Sequence, residues 1–412
     1  MPDRDEKDAR SATLIVARRL DRMRSGDNAF LAAYLLLCRK AGFRTRLVFA
    51  PKRSFGNKAW ARIAPELREL IDEIDWSHAF EVNGIWISGS PSVWVNFGRR
   101  MVVEVGRKLI GRADRPYPSL LGATLTGTEA KATVERVNRH PSSLLTVEYS
   151  SLGPLLAGCK AGTKAVFLHD LFSMRAGTFE AGGRTPDHVV ISIEDEAARC
   201  RHADFLIHAS CVEQQVFARH LPKAAHIWMR PDVPRFSQPG GSKPVPRAVF
   251  IGSIHSGNVA ALEKLRSAIW PKVRARVPGV KLVILGAIAR TIATIDAQDE
   301  GLILVGQVDR LEEFGGKQAI GLAPIQFGSG VPIKIVDYLS LGMAVVATKE
   351  AIAPFGSSLN GVVVSAQSDS DFVEKVCDLL LSESHRQHMT TDHAELSRRL
   401  DNSELVEALF RA

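Results

Sequence analysis

Gly328-Ser-Gly-Val-Pro-Ile-Lys334-Ile-Val-Asp337-Tyr-Leu-Ser-Leu-Gly342-Met-Ala-Val-Val-Ala-Thr348 reads as a glycine-rich loop, a helix stopped by Gly342, and a buried strand. Backbone N–H groups at the start of such a helix suit a phosphate or pyrophosphate. Lys334 adds a point charge there. Asp337, at i+3, shares its helix face and offers a carboxylate to two ribose hydroxyls. The same residues also make an ordinary loop–helix–strand unit with a surface Lys–Asp pair, and local chemistry alone does not choose between the two.

The flanking sequence repeats the alternation. Upstream lie the strand-like RAVFIGSI, the helical NVAALEKLRSAIWPKVRARV, and the strand-like VKLVILGA, GLILVGQV and AIGLAPI; downstream lie GVVVSA and the helical DSDFVEKVCDLLLSES. Strands alternating with helices predict a parallel sheet covered on both faces. The stretch 232–247, DVPRFSQPGGSKPVPR, is rich in Pro, Gly and Ser and reads as a linker.

Before it, ATLIVAR, RTRLVFAP, SLLTVEYSS, KAVFLHD, DFLIHAS and AAHIWMRP read as strands, with AFLAAYLLLCRKAG, SIEDEAARC and EQQVFARHLP as helices. AFEVNGIWISG and MVVEVGRKLIG also read as strand or strand entry. The expected fold is α/β: two Rossmann-like, doubly wound domains, 1–235 and 236–390, facing a cleft where ligands sit. A last segment, 391–412, is expected to cross back to the first domain as a helix.

The 412 residues include 24% charged and 7% aromatic residues, with a net charge of +8. Residues 1–235 hold 35 Lys and Arg against 26 Asp and Glu; the remainder holds 18 against 19. The excess sits early, at Arg18, Arg19, Arg22, Arg24, Arg39, Lys40, Arg44, Arg46, Lys52 and Arg53. A basic face attracts polyanions, whether nucleic acid, anionic lipid or phosphorylated substrate; it also serves as a solvated surface. No aromatic interleaving or binding motif points to nucleic acid. Cys38, Cys159, Cys200, Cys211 and Cys377 form no metal-ligand spacing and no framework, as expected of reduced thiols. No apolar run approaches membrane-spanning length, and MPDRDEKDAR lacks the apolar stretch of a secretory signal. These features predict a cytoplasmic protein, with peripheral contact to an anionic membrane through the basic N-terminal domain.

The segment 328–348 resembles the donor-binding signature of GT-B glycosyltransferases, family 4 or group 1 in particular. VFIGSIHSGNVAALEKL, VPGVKLVILGA, ILVGQV with AIGLAPIQFGSGV, and VFLHDLFSMR with SIEDEAARCRHADFLIHAS resemble the neighbouring segments in order and spacing, covering most of 160–385. The resemblance implies a sugar transferred from a nucleotide-sugar donor to a saccharide or lipid-linked acceptor, in bacterial polysaccharide or glycan biosynthesis. Asp337 then stands at the second acid of an E-x7-E pair and binds the donor ribose. The first acid falls at Ser329, a departure that puts the transferred sugar and a retaining mechanism in question.

Further implied are donor contacts from Gly252, Ser253, His255, Gly328, Ser329, Gly330, Val331 and Lys334. His169 lies beside the reacting sugar, with Asp170 orienting it or capping the next segment. Ser25, Gly26 and Asp27 form a cleft loop, although a plain helix cap at Asp27 or Asn28 fits equally. SIHSGN contains no Lys or Arg, so Lys334 and backbone amides are expected to carry the diphosphate largely alone. Neither a metal nor another cofactor is expected, since a helix N-terminus and basic groups manage the leaving diphosphate. A sugar-nucleotide epimerase or phosphorylase on the same fold, and a degenerate scaffold motivated by Ser329, are the alternative functions.

Overall fold

The computed structural model describes residues 10–21, 26–109, 120, 122–181, 183, 186, 188–236, 247–292, 297–298 and 300–410. Two parallel sheets dominate. The first has the order β10-β9-β8-β7-β1-β2-β4, formed by β1 (Ser11–Val16), β2 (Arg44–Phe49), β4 (Glu73–Trp76), β7 (Ser142–Glu148), β8 (Ala161–Leu168), β9 (Phe205–His208) and β10 (Ala225–Trp228). The second has the order β13-β12-β11-β14-β15-β16, formed by β11 (Arg247–Ile251), β12 (Leu282–Leu285), β13 (Leu302–Gly306), β14 (Ala319–Ala323), β15 (Ala344–Thr348) and β16 (Val364–Ala366). A small antiparallel sheet, β3-β6-β5, stands beside the first, built from β3 (Trp60–Ala61), β5 (Ala79–Val82) and β6 (Ile85–Ser88).

Alternation of side chains explains why both sheets are buried on two faces. In β1, Leu14 and Val16 enter one core and Ile15 the other. In β11, Ala248 and Phe250 enter one core and Val249 the other. Each sheet reverses direction at one point, between β1 and β7 and between β11 and β14. Open α/β sheets bind ligands outside the carboxyl ends of the strands at such points.

Three sequence expectations change. Met101 to Gly111, read as strand, falls instead in the helix α2 (Pro91–Leu109) as far as Leu109; residues 110 and 111 lie outside the described residues. The β-branched run Val102, Val103, Val105 favours a strand locally, but Pro91 opens a helix at its first position, where no N–H is needed. Second, AFEVNGIWISG is a two-stranded hairpin, with Phe80 opposite Ile87 and Val82 opposite Ile85.

Third, several of the early arginines have protein partners, while Arg39, Lys40, Arg44 and Lys52 are exposed. Arg46 pairs with Glu73 and Asp75, and Arg19 with Asp21. Arg53 donates to the carbonyls of Leu120, Ala123 and Thr124. Arg22 and Arg24 lie outside the described residues, as do positions 237–246 of the linker. Val233, at the linker's start, is already in the second domain's core.

At the far end the chain returns to the first sheet. Leu405, Leu409 and Phe410 of α9 (Ser403–Phe410) join its core. Arg10 hydrogen-bonds the Phe410 carbonyl at 2.5 Å. Asn402 holds the N–H and carbonyl of Arg230 at 2.8 and 3.0 Å.

Candidate active site

The cleft is lined from both sheets. From the first come Arg18 just past β1, the N-terminus of α1 (Gly26–Lys40), Glu148 ending β7, His169 and Asp170 just past β8, Arg175 on α3 (Phe172–Ala181), and Glu213 on α5 (Cys211–Phe217). From the second come the β11 turn, Gly252 to His255, the start of α6 (Ser256–Lys264), and the loop from Gly328 into α7 (Lys334–Ser340).

His169 is buried. Its Nε2 is held by the Glu148 carboxylate at 2.9 Å, not by Asp170. Glu148 is also gripped by Arg18, through Nε at 3.0 Å and Nη2 at 2.8 Å. Burial would push the Glu148 carboxyl up, but Arg18 and the His169 contact outweigh it and hold the carboxyl below its usual range. Burial likewise opposes the Arg18 charge, and Asp27 with Glu148 overcomes it. Asp27 lies 3.1 Å from Arg18 and accepts from the Tyr149 hydroxyl at 3.4 Å. Gly26 faces the second domain, where an added Cβ would sit 3.5 Å from Ile333. Ser25 lies outside the described residues.

Asp170 reaches the other way. Its Oδ2 accepts from Arg175 at 2.7 Å and from the Ser329 hydroxyl at 2.9 Å. Arg175 spans the cleft, with Nη2 at 2.9 Å from Nε2 of His255. The turn without its own Lys or Arg thus has a cation of the opposite domain beside it. His255 caps α6, its Nδ1 accepting from Gly257 N–H at 3.4 Å.

Gly330 has a φ of 76°, and a Cβ there would lie 3.3 Å from the His169 carbonyl, so both its conformation and its close approach favour glycine. Its N–H donates to Glu213 Oε1 at 3.0 Å. The Gly330 N–H is therefore occupied by a protein carboxyl. Burial, reinforced by Asp170, raises the Glu213 carboxyl to about 8, which keeps it protonated at neutral pH. Ser210 accepts from Glu213 N–H at 3.3 Å, and the side chain at this third helical position reaches across the cleft. Val331 packs against the cores of both domains.

Lys334 is buried. Its Nζ donates to Asn258 Oδ1 at 2.6 Å and lies 4.5 Å from the centre of the Phe250 ring. Asn258 in turn holds the Ser253 carbonyl and hydroxyl at 3.2 and 3.3 Å. Burial lowers the Lys334 amine to about 7, with Asp337 opposing the shift. Asp337 itself is half-buried one turn along α7.

Four buried polar atoms around this cleft have no hydrogen-bond partner: Nδ1 of His169, Oδ1 of Asp170, Oε2 of Glu213 and Oγ of Ser256. Orphaned groups of this kind are rare in folded proteins, and four of the nine found among the described residues lie here. Among the described residues no group of three or more His, Cys, Asp or Glu side chains is placed to hold a metal ion.

Residues 245–382 match the family model for group 1 glycosyl transferases. The matched stretch lies within the second domain and spans about a third of the chain. Solved structures resemble the whole chain at 12–13% identity and establish its GT-B fold. Sucrose-phosphate synthase from Thermosynechococcus elongatus is 12% identical, covering 95% of this chain and 94% of its own, with a TM-score of 0.57. WaaG, a glycosyltransferase involved in lipopolysaccharide biosynthesis, is 12% identical over 96% of each chain, TM-score 0.56. The UDP-forming α,α-trehalose-phosphate synthase from Burkholderia vietnamiensis is 13% identical over 96% of this chain and 97% of its own, TM-score 0.51. No curated protein sequence matches. Glu148, Arg175 and Glu213 are the cleft residues that the local sequence did not point to. Arg175 ends the quoted VFLHDLFSMR and Glu148 lies within SLLTVEYSS, but neither had a local signal of what it would face.

Proposed function

We propose that this glycosyltransferase moves a sugar from a nucleotide-sugar to a saccharide or lipid-linked acceptor in glycan assembly, with the nucleotide on the second domain and the acceptor on the first. The cluster of unpartnered buried atoms between His169, Asp170, Glu213 and Ser256, in a cleft whose second wall is a group 1 domain, carries this reading. Lys334 and Arg175 neutralise the departing diphosphate, and Asp337 takes the ribose. Nδ1 of His169, fixed by Glu148 through Nε2, meets a hydroxyl of the transferred sugar. The missing acid at Ser329 is supplied through space, since Ser329 touches Asp170 and Gly330 touches Glu213. Two cations facing the diphosphate make a metal dispensable in this scheme.

The test is a thermal-shift screen with UDP-, GDP-, ADP- and TDP-sugars, repeated with EDTA. A ligand that binds only the folded state raises its melting temperature by mass action. One nucleotide class should stabilise the chain with and without EDTA, and Lys334→Ala and Asp337→Ala should each abolish the shift. No response to any of the four sinks the transfer reading and leaves the scaffold.

A further inference from the structure

Tyr149 holds a backbone conformation that residues with a side chain rarely adopt. Its φ is 62° and its ψ 153°, a region essentially reserved for glycine and costly for any residue with a β-carbon. Among the described residues two other non-glycine residues have positive φ, His78 and Asn83, and both lie in the tight turns at either end of β5. Tyr149 instead directly follows Glu148, the last residue of β7. Three contacts hold the strained geometry. Its N–H donates to the Phe167 carbonyl at 2.7 Å, its carbonyl accepts from the Leu152 N–H at 3.2 Å, and its hydroxyl donates to Asp27 Oδ2 at 3.4 Å. Burial, with the Asp27 carboxylate adding to it, pushes the phenol well above its ordinary range, so the hydroxyl stays protonated.

In a continued strand, consecutive side chains point to opposite faces. Glu148 and Tyr149 instead both reach one imidazole. The Glu148 carboxylate holds His169 Nε2 at 2.9 Å, and the Tyr149 ring centre lies 4.9 Å from the His169 ring. Phe167 and Phe30 add ring contacts to the same imidazole at 4.2 and 6.5 Å. The Tyr149 ring is itself held, stacked on Phe172 at 5.6 Å. We propose that Tyr149 is a positioning residue for His169: its ring, brought round by the strained backbone, keeps the imidazole from turning over, so that Nε2 stays on Glu148 and Nδ1 stays available to the sugar. A half-turn about the Cβ–Cγ bond would put Cε1 against Glu148 and Cδ2 where Nδ1 now lies. Glu148 opposes that turn through one hydrogen bond, and the Tyr149 ring opposes it by packing.

A residue that only closed the turn after β7 would need no side chain, because glycine enters this conformation freely. Strain of this kind persists where neighbouring contacts over-determine it, and it concentrates at sites that need a preorganised group. The ring rather than the hydroxyl carries the role, since the hydroxyl contact is the longest of the three and runs to Asp27, not to His169. The inference rests on the proposed transfer for its purpose, because His169 there meets the transferred sugar, though not for its detection.

Variants of the full chain separate the ring, the hydroxyl and the strain. At an ordinary extended position alanine is more stable than glycine. Here Tyr149→Gly should be the more stable of the two in urea unfolding, with a folding constant at least about fivefold larger than that of Tyr149→Ala. The nitrogen signals of isotope-labelled histidines report the imidazole directly, and His169→Gln identifies which belong to His169. The parent and Tyr149→Phe should give one sharp set, with the Nε2 proton held by Glu148. Tyr149→Ala and Tyr149→Gly should broaden or average it; Tyr149→Leu, which keeps apolar volume without a ring, gives the same reading should the alanine chain not fold. The extra thermal shift that a nucleotide-sugar gives over its nucleoside diphosphate should persist in Tyr149→Phe and be lost in the ringless variants. A glycine variant less stable than the alanine one overturns the inference, as does an unchanged His169 spectrum in the ringless variants, however much stability they lose. Loss of the sharp set in Tyr149→Phe overturns it too, because the hydroxyl would then carry the role. Spectra that behave as expected, with no nucleotide-sugar stabilising the parent, would sink the transfer reading and leave the positioning of His169 standing.

Discussion

Lys334→Met isolates a cation of the cleft whose charge is opposed by burial. The amine falls from its ordinary 10.5 to about 7, chiefly because it is buried. Below pH 7 the folded protein carries a buried ammonium, and above it the amine is neutral while the unfolded chain stays protonated up to 10.5. The unfolded state then binds more protons, so stability rises with pH between 7 and 10.5. One pKa unit corresponds to about 1.4 kcal/mol, so burial of this charge destabilises the ligand-free fold by about 5 kcal/mol near pH 6.5 and about 1.5 kcal/mol near pH 9.5. Methionine keeps the volume and removes the charge. It also forfeits the Asn258 hydrogen bond and the Phe250 ring contact, both attractive to the ammonium. The pH-dependent part is therefore the cleaner observable. The stability advantage of the variant over the parent should shrink by about 3 kcal/mol between pH 6.5 and 9.5.

Urea unfolding of both proteins at the two pH values, with the slope of the transition checked for constancy, measures that difference. A gap that is independent of pH, or that widens as pH rises, would refute the burial argument. A functional arm follows from the same amine. A bound diphosphate favours the charged form, so calorimetry near pH 8 in two buffers of different ionisation enthalpy should show proton uptake by the parent on nucleotide binding and none by the variant.

Three further outcomes are expected. Glu213→Gln should remove a pH dependence of opposite sign: with its carboxyl raised to about 8, the folded parent holds a proton that the unfolded chain releases above about 4.5, so the parent should lose about 3 kcal/mol relative to the variant between pH 5 and 8 in the same unfolding assay. Glu148→Ala leaves the Arg18 guanidinium, only 16% exposed, without its two-point partner, and should destabilise the first domain by about 3–5 kcal/mol, with Glu148→Gln recovering part of it in thermal unfolding. Gly321→Ala places a Cβ 2.3 Å from the Tyr338 ring, which cannot retreat because its hydroxyl is held by the Ile251 N–H at 2.7 Å; a loss of about 1–3 kcal/mol in the second domain is expected by chemical denaturation.

What the sequence by itself determined is what repeats within a short window. The continuous apolar runs of β1 and β11, Gly42 and Gly342 at the helix ends, and the Pro- and Gly-rich stretch near 240 together specified two parallel α/β halves. The places of His169 and Lys334 in the fold were legible too, one just past a buried strand and the other entering a helix from a glycine loop. Tertiary structure alone decided what these residues face. Glu148 lies 21 residues from His169 and Asp170 lies 159 from Ser329, while Glu213 lies 117 from Gly330. The first contact joins neighbouring strands of one sheet and the other two arise where two sheets present their carboxyl edges to each other, and nothing in a local pattern encodes which side chains will meet in either way. The same reason governs the early arginines and α2. A charge is solvated or paired according to what the fold brings beside it, and a valine-rich run takes the strand or helix period according to the packing at its ends. In α2 those ends are Pro91 and the Val93, Trp94 and Phe97 anchors on the hairpin, and they convert an apparent strand into an exposed amphipathic helix.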